Sequence, residues 1–441
     1  MSEQEIKRIS QETKFSKIDS TLNGVTFLRE LLRNSEQDYN MSLNQLSLNV
    51  IDKNGKPISK QAIDARFNEK SVDFIKKIFE AYLLRTNTLL KNEQDLGWMN
   101  VFKRVLIKDG TRFDLPAKLA PYFKGFGGSC SSESSICIQL EYDLKTGSIA
   151  EFKTTSANIP DLKDAQLTKD NIEEGDLILR DLGYFGLNIF EEMIDKNSYF
   201  ISKLNTQVTV FEINNNCFEK LNFKTIKQRF NTKCSQIELG VYIGAETKIP
   251  VRLILEPVHE DIYEQRMRKA KKEAHKNGYQ VSDEYAARQR FNCYITNISK
   301  DKLNTVSIRH IYRLRWQIEL IFKVWKSTYK IETTQQMKYA RWMTLFYARM
   351  FLMLIHWQFY NVVKQCKYKI ENKLLSISKC MKTLRIFSSR ITELVNQEIS
   401  KIEAYVEEMT RILSTKHDLE KKKGRKNQEE IYDIIFCIST D

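Results

Sequence analysis

Apolar spacing divides the chain into a helical start, a β-rich middle and a helical end. In residues 1–95, Phe15, Ile18 and Leu22, then Phe27, Leu28, Leu31 and Leu32, recur at helical intervals. Leu43, Leu46 and Leu48 mark a short helix, and residues 52–57 (DKNGKP) mark a turn. Ser59 is placed to cap a further helix that carries Lys60, Gln61, Asp64 and Arg66 outward. A longer helix is predicted from Val72 to about Leu90. Two short helices across a turn suit insertion into a DNA major groove. A small bundle with a solvated face has the same spacing, and spacing alone favours the bundle.

From residue 96 the texture changes. Val101–Lys108 is a β-run ending on Asp109-Gly110-Thr111. The Gly/Ser-rich stretch Lys124–Ser135 reads as an exposed, flexible loop. Residues 136–144 and 148–155 form a predicted hairpin about Lys145-Thr146-Gly147. Then follow a helix over 158–168, a strand Asp176–Arg180 ending on Asp181, a helix Phe185–Lys196 and a strand Ser198–Lys203. This order predicts an α/β unit with a mixed sheet. Residues 204–298 are β-rich, broken by the charged segment Glu264–Arg290, and read as an inserted subdomain. No proline follows Pro257 and no glycine lies between Gly278 and Gly424, so the chain should be almost wholly helical from about Thr305. The charged run 416–430 reads as a solvated helix end or a linker.

Composition narrows the class. The 441 residues carry a net charge of +14 and a pI near 9.2, which favours a polyanionic partner, nucleic acid first; a basic protein with no such partner is the plainer alternative. Apolar residues make up 42% and mean hydropathy is −0.45, as in a soluble globular protein. Eight scattered cysteines without a CxxC pair, and five histidines without ligand spacing, argue against zinc and disulfides and for a reducing cytoplasm. The opening MSEQEIKRIS has no apolar leader. Trp342–Tyr360 is apolar, but it contains Arg349 and His356, so a buried helix is predicted rather than a membrane span.

The stretch Ile308–Lys330 draws the chemistry together. At about 100° per residue, Tyr312, Arg315, Trp316, Glu319, Lys323 and Lys326 share one stripe, while Leu314, Ile318, Leu320, Ile321, Val324 and Trp325 lie opposite. A lone acid among cations suits a solvated ion-pair face, with Glu319–Lys323 as an i,i+4 pair, or a site for metal and phosphate. Asp109 and Asp181 each end a β-run shortly before a glycine. Such residues are ordinary turn formers. Three converging carboxylates can also hold two hard cations for in-line phosphoryl transfer.

Tyr312, Arg315, Glu319 and Lys326 fit Y-x2-R-x3-E-x6-K at every position. This resembles the signature of bacterial insertion-sequence DDE transposases of the YREK branch, which includes hairpin-forming cut-and-paste enzymes. With KDGT and RDLGYF upstream, the resemblance spans about residues 100–330. It implies an RNase H-like catalytic core at 96–203, interrupted by a β-rich insertion at 204–300 and completed by a catalytic helix at 301–335. A helical DNA-binding region at 1–95 and a helical C-terminal region at 336–441, available for dimerisation, flank it. Asp109, Asp181 and Glu319 would be the catalytic, metal-binding triad for two Mg²⁺ or Mn²⁺ ions. Tyr312, Arg315 and Lys326, with Lys323 and Trp316 on the same stripe, would hold DNA. Phe291 is the candidate for stacking a flipped base, with a core strand position as its alternative. Lys60, Gln61 and Arg66 are the candidates in the N-terminal helices. The implied partners are transposon ends, target DNA and a second copy of the chain, with no membrane, in the cytoplasm at the nucleoid. The implied reaction is end cleavage through a hairpin, then strand transfer. A catalytically inactive DNA-binding relative and a metal-dependent nuclease without strand transfer are the rival readings.

Overall fold

The computed structural model describes residues 1–16, 21–36, 42–51, 55–89, 97–127, 132–230, 236–371, 373–393 and 399–420. Ile18, the start of the 52–57 turn and most of the charged run 416–430 lie outside these residues.

The N-terminal region is helical: α1 (Glu3–Glu12), α2 (Gly24–Glu36), α3 (Leu43–Asn49), α4 (Lys60–Arg66) and α5 (Glu69–Leu89). Ser59 caps α4 as its sequence position predicts, its side chain accepting the Ala62 N–H. Phe15 lies in the turn after α1, with its ring stacked on Phe74 at 4.9 Å.

The middle holds β1 (Val105–Asp114), β2 (Ser135–Asp143), β3 (Ile149–Ser156), α6 (Asp161–Leu167), β4 (Leu177–Arg180), α7 (Leu187–Asp195) and β5 (Tyr199–Lys203). The chain continues through β6 (Val210–Asn214), β7 (Cys217–Lys220), α8 (Phe223–Arg229), β8 (Ile237–Ile243), β9 (Ile249–Pro257), α9 (Glu260–Asn277), α10 (Asp283–Gln289) and β10 (Phe291–Thr296). The described strands make one mixed sheet in the order β3-β2-β1-β4-β5-β10-β9-β8-β6-β7. Only the β1–β4 and β4–β5 pairs are parallel. The strands of 204–300 therefore continue the sheet begun by 96–203, joined where Tyr294, Ile295 and Thr296 face Lys203, Ser202 and Ile201.

Three expectations change. β1 does not end at Asp109: its antiparallel ladder with β2 runs on to Asp114, while its parallel neighbour β4 stops at Arg180. Gly110 is a close-approach residue rather than a turn residue; a Cβ there would lie 3.0 Å from Gln139 Nε2 and 3.1 Å from Cys137 Sγ. The flanks of the 124–135 loop are ordered by pairing, with Lys124 bridged to Ser134, and Ser134 is buried.

The last third forms α11 (Thr305–Leu314), α12 (Gln317–Thr328), α13 (Tyr339–Glu371), α14 (Ile377–Ile386), α15 (Ser388–Glu393) and α16 (Ile399–Lys416). Helix α13 is buried along most of its length. Two of its polar residues find partners inside: Arg349 donates to the Lys330 carbonyl at 2.8 Å, and His356 Nδ1 lies 2.6 Å from the Tyr329 hydroxyl. No described helix is long and apolar enough to cross a membrane. One continuous core joins α1, α2 and α5 to α13 and to the sheet face that carries Val105, Ile107, Leu177 and Leu179. A second core lies on the opposite face, under α6 and α7 and across β8–β10.

Candidate active site

The single helix expected over Ile308–Lys330 is tightened at its middle. The N–H groups of Arg315, Trp316, Ile318 and Glu319 bond three residues back, to Tyr312, Arg313, Arg315 and Trp316, at 3.1–3.3 Å. This 3₁₀-like step separates α11 from α12 and disrupts the regular wheel. Tyr312 is turned into the core at 5% exposure, with its ring 5.5 Å from Tyr294, whereas Trp316 stands out at 49%. The apolar face packs as expected at Leu314, Ile318, Ile321, Val324 and Trp325, and Phe322 joins it; Leu320 is only partly buried.

Strand alternation places the two aspartates. Lys108 faces Arg180 in the parallel ladder, so the residues that follow, Asp109 and Asp181, leave adjacent strands on the side of Ile107 and Leu179, beneath α12. Asp181 begins the short 3₁₀ turn Leu182–Tyr184 and is exposed. Glu319 comes from the first turn of α12.

Arg315 links the acids. Its Nη2 lies 2.8 Å from Glu319 Oε1, and its Nη1 lies 3.8 Å from Asp109 Oδ2. Burial raises the Asp109 carboxyl to about 6; the Gly110 N–H and Arg315 oppose the shift, and the charges of Asp181 and Glu319 add to it. Burial opposes the charge on Arg315, but the Glu319 hydrogen bond and the Asp181 charge prevail and raise its pKa. All three acids thus act on one cation. Three carboxylates are a hard-oxygen donor set of the kind that suits Mg²⁺ or Mn²⁺, and Glu319 is half-exposed. As arranged around Arg315, no three His, Cys, Asp or Glu side chains among the described residues are gathered tightly enough to ligate a metal.

The other named residues divide. Glu319 takes Arg315, not Lys323, as its i,i+4 partner. Lys323, Lys326, Thr111, Glu319 and Glu332 line an open groove of about 560 Å³. There Lys326 pairs with Glu332 at 2.5 Å and donates to the Arg112 carbonyl at 3.2 Å. Lys60 and Gln61 are exposed, but Arg66 turns inward, donating to the Phe15 carbonyl at 3.3 Å. Phe291 is turned away from solvent. It is 5% exposed in β10 and stacked on Phe230 at 5.6 Å, because its strand position points it into the second core.

Sequence reasoning missed the support behind the aspartates. Lys108 has no exposed surface; its Nζ lies 2.6 Å from Glu151, 2.7 Å from Asp164 and 2.9 Å from the Thr168 hydroxyl. Arg180 pairs with buried Glu141 at 2.8 Å. Burial works to raise the Glu141 pKa, but Arg180 and Lys108 hold it below its ordinary value. The signal was a cation immediately before each Asp, within an apolar run. Lys203, at the end of β5, was also missed. Its Nζ lies 5.9 Å from the Tyr312 ring centroid; burial lowers its pKa, and Asp181 opposes that.

Residues 100–355, more than half of the chain, match the transposase DDE domain family. Over 98% of its length the chain is 30% identical to the transposase for insertion sequence element IS1151 of Clostridium perfringens, spanning 93% of that protein. It is 27% identical to the transposase for insertion sequence element IS231B of Bacillus thuringiensis subsp. berliner, over 98% of this chain and 92% of that one. The chain therefore belongs to the transposase DDE domain family.

Proposed function

We propose that the chain is a DNA transposase of the YREK branch that cleaves the ends of its insertion sequence and transfers them to target DNA. The observation that carries this reading is the guanidinium shared by Glu319 and Asp109, on which Asp181 also acts. In this reading 96–203 and 301–335 form an RNase H-like core, and 204–300 is its insertion. Asp109, Asp181 and Glu319 are the catalytic acids and hold Mg²⁺ or Mn²⁺, two ions when fully loaded. Bound divalent ions supply an activated oxygen nucleophile and stabilise charge on the phosphate under attack.

The chain's own residues orient the reaction. Arg315 turns from Glu319 to a phosphate oxygen, and Lys326 and Lys323 meet phosphates along the groove. Tyr312, buried against Tyr294, donates its hydroxyl to the Arg180 carbonyl at 3.4 Å, which fixes α11 beside Asp181. Trp316 offers an exposed ring to the DNA. In the first step water bonds to phosphorus and the 3′-oxygen leaves as a hydroxyl. That 3′-hydroxyl attacks a phosphorus of the opposite strand, displacing the flanking DNA's 3′-oxygen as a hydroxyl and closing a hairpin; a second water attacks the same phosphorus and releases the element's 3′-hydroxyl, which then attacks a target phosphorus and displaces a target 3′-oxygen. Residues 1–95 contact the element end through Lys60 and Gln61, and 336–441 joins two copies in the synaptic complex.

The test is incubation with the element's own ends and Mg²⁺ or Mn²⁺. Nicked, hairpin and joined products are expected, all lost in Glu319→Gln. Cleavage that survives Glu319→Gln overturns the site. Cleavage without any joined product makes the chain a nuclease.

A further inference from the structure

Beyond the acids, one side of α9 is densely cationic. From Arg266 to Asn277 it carries six Lys or Arg and one acid, Glu273. At about 100° per residue, Arg268, Lys269, Lys271, Lys272, His275 and Lys276 share the outer side; all are exposed. Among the described residues the ion pair recorded for this set is Arg268–Glu264 at 3.3 Å.

The inner side holds the helix in place. Arg266 donates to the carbonyls of Gln289 and Phe291 at 3.0 and 3.1 Å and to Asn292 Oδ1 at 2.6 Å, and Ala274 is buried. The helix is capped at both ends, by the His259 side chain and by Gly278 in the left-handed region at φ 73°. Its outer cations repel one another: Arg268–Lys272 and Lys272–Lys276 are like-charged i,i+4 neighbours, each mildly destabilising in an isolated helix. Against these six basic residues the face carries Glu264, which pairs with Arg268, and Glu273 at its edge. The helix is anchored to β10, the strand that leads to Tyr312. Arg266 grips Phe291 and Asn292; Tyr294 follows Asn292 by about 7 Å of strand and packs on Tyr312.

We infer that the outer face of α9 is a further DNA-contact surface, which takes the phosphate backbone of duplex beyond the cleaved bond by charge and without reading sequence. This rests on the reading of the chain as a DNA-acting enzyme. From Arg268 to Lys276 the face spans about 12 Å, a length over which each strand of a duplex carries about three to four phosphate charges.

The experiment uses full-length Glu319→Gln protein, which binds without cutting. Duplexes of one length, one carrying the element end and one of random sequence, are titrated by fluorescence anisotropy across a salt series. Replacing Lys269, Lys271, Lys272 and Lys276 with Gln should weaken both duplexes at least about tenfold at low salt and flatten the log K against log salt slope by about 2–4. Arg at the same four positions should keep both values. A folded Gln variant with an unchanged slope overturns the inference. If the four-site variant loses its melting transition, the paired variants Lys269→Gln/Lys272→Gln and Lys271→Gln/Lys276→Gln decide by the same slope. If the parent protein binds neither duplex, the DNA reading itself falls, and this surface with it.

Discussion

Arg315 sits between a helix acid and a strand acid, 2.8 Å from Glu319 and 3.8 Å from Asp109. A divalent ion drawn to the same acids competes with that guanidinium. Arg315→Ala should therefore tighten Mn²⁺ binding by up to about tenfold, on the order of 1 kcal/mol for removing a like charge at this range in a partly exposed site. End cleavage should fall at the same time, because the phosphate contact is lost. Paramagnetic titration of bound Mn²⁺ beside a cleavage assay separates the two; weaker Mn²⁺ binding refutes the competition.

Asp109 carries a buried charge that the fold tolerates at a cost. Its pKa is raised from 3.8 to about 6, so near neutral pH the ionised form opposes folding. Asp109→Asn should stabilise the protein, by at most about 2 kcal/mol, while reducing cleavage more than about 100-fold. Thermal melting and end cleavage measured on one preparation test this. A lower melting temperature would show that the carboxylate holds the fold.

Behind the aspartates, Lys108 neutralises Glu151 and Asp164 away from water. Lys108→Met keeps the length of the side chain but strands Glu151 and leaves Asp164 only Lys153, 3.4 Å away. The expected loss is about 3–5 kcal/mol, seen as an earlier urea midpoint; a change within 1 kcal/mol or so would mean that water reaches the pair.

Phe291 and Trp316 should behave as opposites. Phe291→Ala opens a cavity beneath Phe230 and costs about 3–5 kcal/mol of stability, with the product pattern of the folded fraction unchanged. Trp316→Ala leaves the melting curve in place and weakens DNA binding by about 1–3 kcal/mol. A stable Phe291→Ala protein with altered products would return Phe291 to the DNA.

His356 gives the fold a pH dependence. Burial depresses its pKa from 6.5 to about 3, with Arg385 adding to the effect. The unfolded chain thus binds the proton more readily, and stability falls as the pH drops below about 6.5, levelling off near 3. About 2 kcal/mol should disappear between pH 7 and pH 5. In His356→Gln this part of the urea-midpoint profile should flatten; an identical slope in the variant assigns the loss to other groups.

The sequence made much of this legible where one physical signal dominated. Apolar spacing located β4, α7, β5, β8, β9, β10 and the buried helix α13. Four spaced residues drew attention to α11–α12. Other features depend on neighbours distant in the chain. Asp109-Gly110 has turn composition, yet Gly110 lies mid-strand because Gln139 and Cys137 approach it from β2. The tightening at Arg315–Trp316 has no proline or glycine to mark it. Lys108 and Arg180 look like interruptions of apolar strands until β2, β3 and α6 bring Glu141, Glu151 and Asp164 to meet them.

The seam between β5 and β10 has a further consequence. The chain leaves at Lys203 and returns opposite it at Tyr294, so the long excursion between them closes on itself. Asp181 lies before the excursion and Glu319 after it, but their spacing is fixed by sheet and helix packing, not by the excursion's length. Closing a loop twice as long costs only about 0.6 kcal/mol more. Length can thus be added to the far-edge hairpin β6–β7 at little closure cost, while β8 and β9 are held to the start of α11, where Glu238 accepts from Thr305, Arg252 donates to the Leu303 carbonyl and Glu256 pairs with Arg309.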